Sequence, residues 1–204
     1  MTSRRKFIGL GIGAAVLPGL TQAAEWSSMG WAEAKGLGRL PLYKAIYEKA
    51  YAPAQGFAAR MQQRGVVSHG IDADITGVWF NDLALQWRRR PVAIAGLTAP
   101  AALFCLEQLA WDHRMRVAFR ATHTQRPGGA IEHRIQAPQT LMPQIRQSLD
   151  AEPGWGALMA DLAMHCPLPG TSVATELAVD THVVVDDLAA GPLVSWVIAP
   201  VSSA

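Results

Sequence analysis

Five residues carry side chains or backbone suited to chemistry and stand where an expected strand gives way to a loop or helix: Asp72, Asp74, Gly96, Thr98 and His123. Asp72-Ala73-Asp74 follows a short β-branched run, and two carboxylates two residues apart could hold a hard cation through oxygen. Asp is also a favoured helix cap, and Asp74 stands where the next helix should begin. The further acids of a calcium loop are missing, which weighs against a metal. Gly96-Leu97-Thr98 ends an apolar run. A glycine there lets the chain turn sharply and aim free N–H groups at an anion or carbonyl. Thr98 adds a hydroxyl, and His123 an imidazole that titrates near neutrality. An acid, a hydroxyl, backbone donors and an imidazole in one crevice would suffice for binding or for general acid–base work.

Other chemistries lack their patterns. Neither Gly-x-Gly-x-x-Gly nor Gly-x-x-x-x-Gly-Lys-Ser/Thr occurs, so dinucleotide and nucleoside triphosphate binding have no fingerprint. The six histidines are scattered. His69, His123 and His182 fall at expected strand ends and could meet in space, but no His-x-x-x-His or His-Glu-x-x-His spacing supports zinc. Asp161 and His165, four apart on an expected helix, offer one pair of ligands or a simple side-chain contact. The nucleophile elbow Gly-x-Ser-x-Gly is absent, and Ser68 and His69 would point to opposite faces of a strand. Cys105 lies in the apolar run 101–106, where a buried thiol is expected, although pairing with Cys166 remains open. There is no Cys-x-x-Cys-His for haem and no ligand set for an iron–sulfur cluster. No metal or cofactor is expected.

The elements that must position these residues follow from periodicity. Residues 42–47 read as a first strand, and 51–63 as a helix through Phe57, Ala58 and Met61. Residues 66–71 read as a second strand, and 74–88 as a helix through Val78, Leu83 and Trp87, stopped by Pro91. The continuous apolar run 91–96 is the clearest buried strand and is expected at the centre of the sheet. Thr98-Ala99-Pro100 signals a helix start, with the helix running to about His113. Residues 116–122 form the next strand, 124–137 a long loop or strand pair, and 141–149 and 155–164 helices. Strands are expected at 176–185 and 193–199. Three strand–helix alternations in a row predict right-handed βαβ units. The fold class is therefore α/β: one domain with an open, mostly parallel sheet and helices on both faces, three-layered and Rossmann-like. In such sheets ligands gather beyond the carboxyl ends of the strands. That rule is what gathers Asp72, Asp74, Gly96, Thr98 and His123 into one candidate crevice.

Charge narrows the partners. Residues 1–23 hold three of the 18 basic side chains and none of the 16 acidic ones, leaving 15 against 16, a formal charge of −1. Nucleic-acid binding thereby loses the basic face it requires. Arg88-Arg89-Arg90 is the one basic run left, and it reads as a solvated helix end favoured by the helix dipole. Beyond residue 23 no apolar stretch reaches the roughly 18 residues of a membrane span. Seven tryptophans are many for this length. Trp79, Trp87 and Trp111 fall on helices expected to pack on the sheet, whereas Trp26 and Trp31 are the better candidates for docking on a partner.

Ser3-Arg4-Arg5-Lys6-Phe7-Ile8 opens an apolar stretch diluted by Gly9, Gly11, Gly13 and Gly19 and followed by Thr21-Gln22-Ala23. This segment resembles a bacterial twin-arginine signal peptide, with Arg4, Arg5 and Phe7 as its distinguishing residues. The resemblance covers residues 1–23 only. It implies recognition by the twin-arginine translocation machinery, folding before export and a periplasmic location. It divides the chain into a signal at 1–23, an arm at 24–40 and the α/β domain at 41–204. The expected function is that of a cofactor-free accessory or small subunit of a larger exported enzyme, with a dehydrogenase as the leading candidate, and not one catalytic on its own. The alternative is a periplasmic small-molecule-binding protein, or a cofactor-independent enzyme, using the strand-end crevice.

Overall fold

A computed structural model describes residues 40–143, 145, 154–166, 174–181 and 191–201. The signal segment, Trp26, Trp31 and His182 lie outside the described residues. Among the described residues seven strands form one sheet: β1 (Leu42–Glu48), β2 (Val67–Ile71), β3 (Ala93–Thr98), β4 (Met115–Gln125), β5 (Ile131–Pro138), β6 (Ala174–Thr181) and β7 (Leu193–Pro200). Their order is β2-β1-β3-β7-β4-β5-β6. Among the described residues the main helices flanking them are α1 (Ala52–Gln63), α2, α3 (Pro100–Trp111) and α4 (Trp155–Met164). Helix α2 is composite, with a helical turn at Thr76–Val78, a π-helical turn at Trp79–Leu83 and an α-helical end at Ala84–Arg89.

The topology follows from crossover handedness. β2 lies on one side of β1 and β3 on the other. Crossovers of one hand that move in opposite directions must pass over opposite faces of the sheet. Accordingly α1 buries Ala54, Phe57 and Met61 on one face, and α2 buries Val78, Leu83 and Trp87 on the other. α3 carries the chain from β3 over β7 to β4 along the same face as α2, burying Ala102, Leu103, Leu106 and Ala110. α4 lies beside α1 on the first face. Two cores thus sandwich the sheet, giving a three-layer α/β domain.

The parallel pairing is confined to β2-β1-β3. β7 enters between β3 and β4 and runs antiparallel to both. β5 and β6 then continue antiparallel. The sheet is therefore mixed, although β4 and β6 point the same way as the three parallel strands. Residues 124–137 form the strand pair, the end of β4 turning through Gly128 and Gly129 at positive φ into β5. β3 is buried at every position and sits between β1 and β7, as its apolar run requires.

Three local expectations are corrected. β3 continues through Gly96 to Thr98 because β1 and β7 pair with it there, Tyr47 with Leu97 and Val194 with Thr98. The turn comes later, and Ala99 caps α3 in place of Thr98. Cys105 is exposed, not buried. The inward stripe of α3 follows helical spacing, so the run 101–106 splits, with Phe104 and Cys105 turned out and Leu103 and Leu106 turned in. Cys166 is buried in the core on the opposite side of the sheet, where burial pushes its thiol up to about 12.

Candidate functional site

The strands β1 and β3 are neighbours, yet the chain leaves β1 for α1 on one face and β3 for α3 on the other. Such a divergence opens a crevice beyond the carboxyl ends of the two strands, the usual ligand position in open α/β sheets. Register places Tyr47 beside Leu97, so Glu48 and Thr98 stand side by side one residue further on. Both point to the face of α2 and α3, in step with Ile46 and Ile94 of that core.

Glu48 is the distinctive group. It is only 3% exposed. Its Oε1 accepts the Ala73 N–H at 2.5 Å, and among the described residues its Oε2 has no hydrogen-bond partner. Leaving a carboxylate oxygen dry and unpaired is costly, on the order of 1–3 kcal/mol or more. Ala73 reaches Glu48 by adopting φ 58°, a left-handed conformation that disfavours side chains with a Cβ. The loop over Glu48 is held at its two ends by Asp72 and Asp74. Asp72 pairs with Lys49 at 2.5 Å, and Asp74 Oδ1 accepts the Thr76 N–H at 2.8 Å; hydrogen bonding from the Thr76 side chain, and then from its backbone, holds the pKa of Asp74 below the ordinary value.

Thr98 and Gly96 build the floor. Trp196 Nε1 donates to Thr98 Oγ1 at 3.1 Å, and Thr98 Oγ1 donates to the Ala99 carbonyl at 3.2 Å. The Trp196 indole lies so close to Gly96 that a Cβ there would collide with the ring and with the Ile46 carbonyl. Gly96 therefore serves close packing. Its backbone is held in the sheet on both sides and offers no free N–H to an anion.

Of the five residues gathered by sequence, four belong to this end of the sheet: Asp72 and Asp74 on the covering loop, Gly96 and Thr98 on the floor. His123 does not join them. It lies near the same edge but projects from the opposite face, where it stacks against Trp155 at a ring separation of 4.4 Å. There it belongs to a second polar group spanning β7, β4, β5 and β6. Ser195 Oγ lies 2.8 Å from His123 Nε2, His123 Nδ1 lies 2.6 Å from His133 Nδ1, and His133 Nε2 lies 2.8 Å from Thr181 Oγ1. Ser195, His123 and His133 are fully buried. Burial drives His123 well below its ordinary range, reinforced by His133, and drives His133 to about 4. Both rings are neutral near pH 7, and one proton between the two Nδ1 atoms satisfies the chain in either direction. The arrangement resembles a nucleophile, base and orienting group, but it is closed to solvent and lies within the core.

The remaining candidates have structural employment. His69 stands mid-strand in β2 rather than at a strand end, its pKa held below the ordinary value chiefly by burial. Asp161 is clamped by Arg60, whose Nε and Nη2 donate at 3.0 and 2.8 Å, while His165 Nδ1 contacts the Asp161 carbonyl oxygen instead of the carboxylate. Arg88 and Arg89 are exposed at the carboxyl end of α2. Among the described residues no group of three or more potential metal ligands converges. Sequence reasoning missed Glu48, His133 and Ser195. A Glu closing a strand was the available signal for the first. The others required knowing that β4, β5 and β7 are neighbours. Compared with known proteins, the chain matches no protein-family model, no curated protein and no solved structure.

Proposed function

We propose that this chain is a periplasmic protein, exported on a twin-arginine signal, that binds a small molecule in the crevice between the carboxyl ends of β1 and β3. One observation carries the reading: a buried carboxylate, Glu48, with an oxygen unpartnered among the described residues, set at the topological switch point beneath a strained loop. Native mass spectrometry of the protein released by osmotic shock tests it. A retained small molecule that is lost in Glu48→Gln supports the reading. The same bare mass for both proteins, with unchanged amide exchange at Ala73 when a periplasmic small-molecule extract is added, overturns it.

A second reading, an accessory subunit of a larger exported enzyme, is favoured by the outer side of the α2–α3 layer. Phe80 is 65% exposed, Phe104 62% and Trp111 48%, and Phe104 and Trp111 stand two helical turns apart on one side of α3. Under that reading Phe104→Asp abolishes function of the partner enzyme while leaving the fold and any crevice ligand intact.

A further inference from the structure

We infer that the ligand of the β1–β3 crevice is a small amino-carboxylate, its ammonium held by Glu48 and Thr98 and its carboxylate by the start of α3; the inference rests on the binding reading above. The acceptors call for a cation. Glu48 Oε2 has no hydrogen-bond partner among the described residues, and the neighbouring lysines form their ion pairs elsewhere, Lys44 with Asp82 and Lys49 with Asp72, Glu48 acting on Lys49 only at longer range. An ammonium donor satisfies the oxygen more strongly than a neutral one, because a charge-assisted hydrogen bond to a carboxylate is roughly twice as strong. Thr98 Oγ1, whose proton goes to the Ala99 carbonyl, keeps a lone pair beside the one that receives Trp196. Adjacent strands lie about 4.8 Å apart, so one ammonium can lie between a carboxylate on β1 and a hydroxyl on β3 and donate to both.

The other end of the ligand is set by α3. This helix has 12 residues and starts two positions beyond Thr98. Its N-cap is Ala99, which has no side-chain acceptor, and its first turn carries no acid. Pro100 has no N–H and the Ala102 N–H returns to the Ala99 carbonyl, which leaves the Ala101 N–H at the positive end of the helix dipole. A carboxylate bonded a carbon or two from the ammonium reaches that end. The Trp196 indole supplies an apolar floor for the carbon skeleton between them. Entry requires the Ala73 loop to lift, and its left-handed residue favours release from the closed form.

Titration calorimetry with the folded protein compares three families of probe: alanine and phenylalanine, their deaminated counterparts propionate and 3-phenylpropionate, and their decarboxylated counterparts ethylamine and phenethylamine. At least one zwitterion is expected to bind more than tenfold tighter than either of its truncated forms. Glu48→Gln keeps the shape and should weaken that binding roughly 10- to 100-fold, the range of a charge-assisted hydrogen bond. Ala99→Asp places an acid at the vacant cap. It should raise the melting temperature while abolishing zwitterion binding, a combination that a merely structural role would not produce. Equal affinity for propionate or ethylamine, lost in Glu48→Gln, overturns the amino-carboxylate assignment and leaves the crevice reading standing. No binding of either zwitterion also overturns the assignment, and the retained-molecule experiment then judges the crevice by itself. Zwitterion binding indifferent to both substitutions overturns both.

Discussion

At the scale of single residues, three titratable groups, Glu48, His123 and His133, are held away from water. The His123–His133 pair has the largest consequence. Ser195, Thr181 and Trp155 surround the rings, and the charge of Asp180 acts on His133 in the opposite sense to burial. Folded-state values therefore lie below the unfolded value near 6.5, with His133 at about 4. The sign follows directly. Below about pH 6.5 the unfolded chain takes up protons that the folded chain refuses, so the stability from these two groups is complete above that pH and is lost as pH falls. Each histidine contributes a slope of up to about 1.4 kcal/mol per pH unit in that window. Urea unfolding at pH 7.5, 6.0 and 5.0 should show a steep fall, and His123→Asn with His133→Asn should flatten it. A pH-independent midpoint between 7.5 and 5 in the parent protein would contradict the burial of neutral rings. His123 was visible in the sequence as a titratable group at a strand end. Its partner was not, because a cross-strand pair exists only once β4 and β5 are placed in register, His123 facing His133.

At the scale of elements, two close contacts require glycine, one between helices on the same face and one within the sheet. A Cβ on Gly156 would strike the Pro53 carbonyl, so α4 can approach α1 only with glycine there, and the Arg60–Asp161 clamp fastens the same pair of helices. Gly96 plays the matching role between β3 and the Trp196 ring. Gly156→Ala and Gly96→Ala should each cost about 1–3 kcal/mol through overpacking, against backbone groups that cannot yield. Ile94→Asp belongs with them. Ile94 is fully buried in β3 between β1 and β7, and an unpaired carboxylate there should cost about 3–5 kcal/mol and abolish soluble expression. Denaturant melts of the glycine variants and the soluble yield of the isoleucine variant check all three. The first half of the fold was legible in the sequence for the same reason that these positions matter: βαβ units alternate two clear periodicities, and the run around Ile94 allows only burial on both faces. The second half was less legible. β7 takes its neighbours from residues 70 to 104 positions away, from His123 opposite Leu193 to Ile94 opposite Ile198, and no local pattern announces that a strand will enter between β3 and β4.

At the scale of the whole molecule, that insertion bears on the proposed route of export. The sheet without β7 is two separate pieces, β2-β1-β3 and β4-β5-β6, and each would expose a buried edge. β7 is the last of the seven strands in the chain, so the core cannot close until residues 193–200 are made. A system that carries folded proteins suits this order of events, since it waits for the long-range pairing to finish. The signal and the topology then make a joint prediction. Replacing Arg4 and Arg5 by lysine preserves charge but removes the planar guanidinium forks a receptor would read. That variant should accumulate in the cytoplasm as a folded, protease-resistant domain. Trp196→Asp leaves the signal intact but breaks β7, the Gly96 contact and the bond to Thr98 together. It should also fail to reach the periplasm, this time as a protease-sensitive chain. Cell fractionation with limited proteolysis distinguishes the two. Undiminished periplasmic yield from the lysine variant would refute the twin-arginine route, and efficient export of the Trp196→Asp chain would show that transport does not wait for the sheet to close.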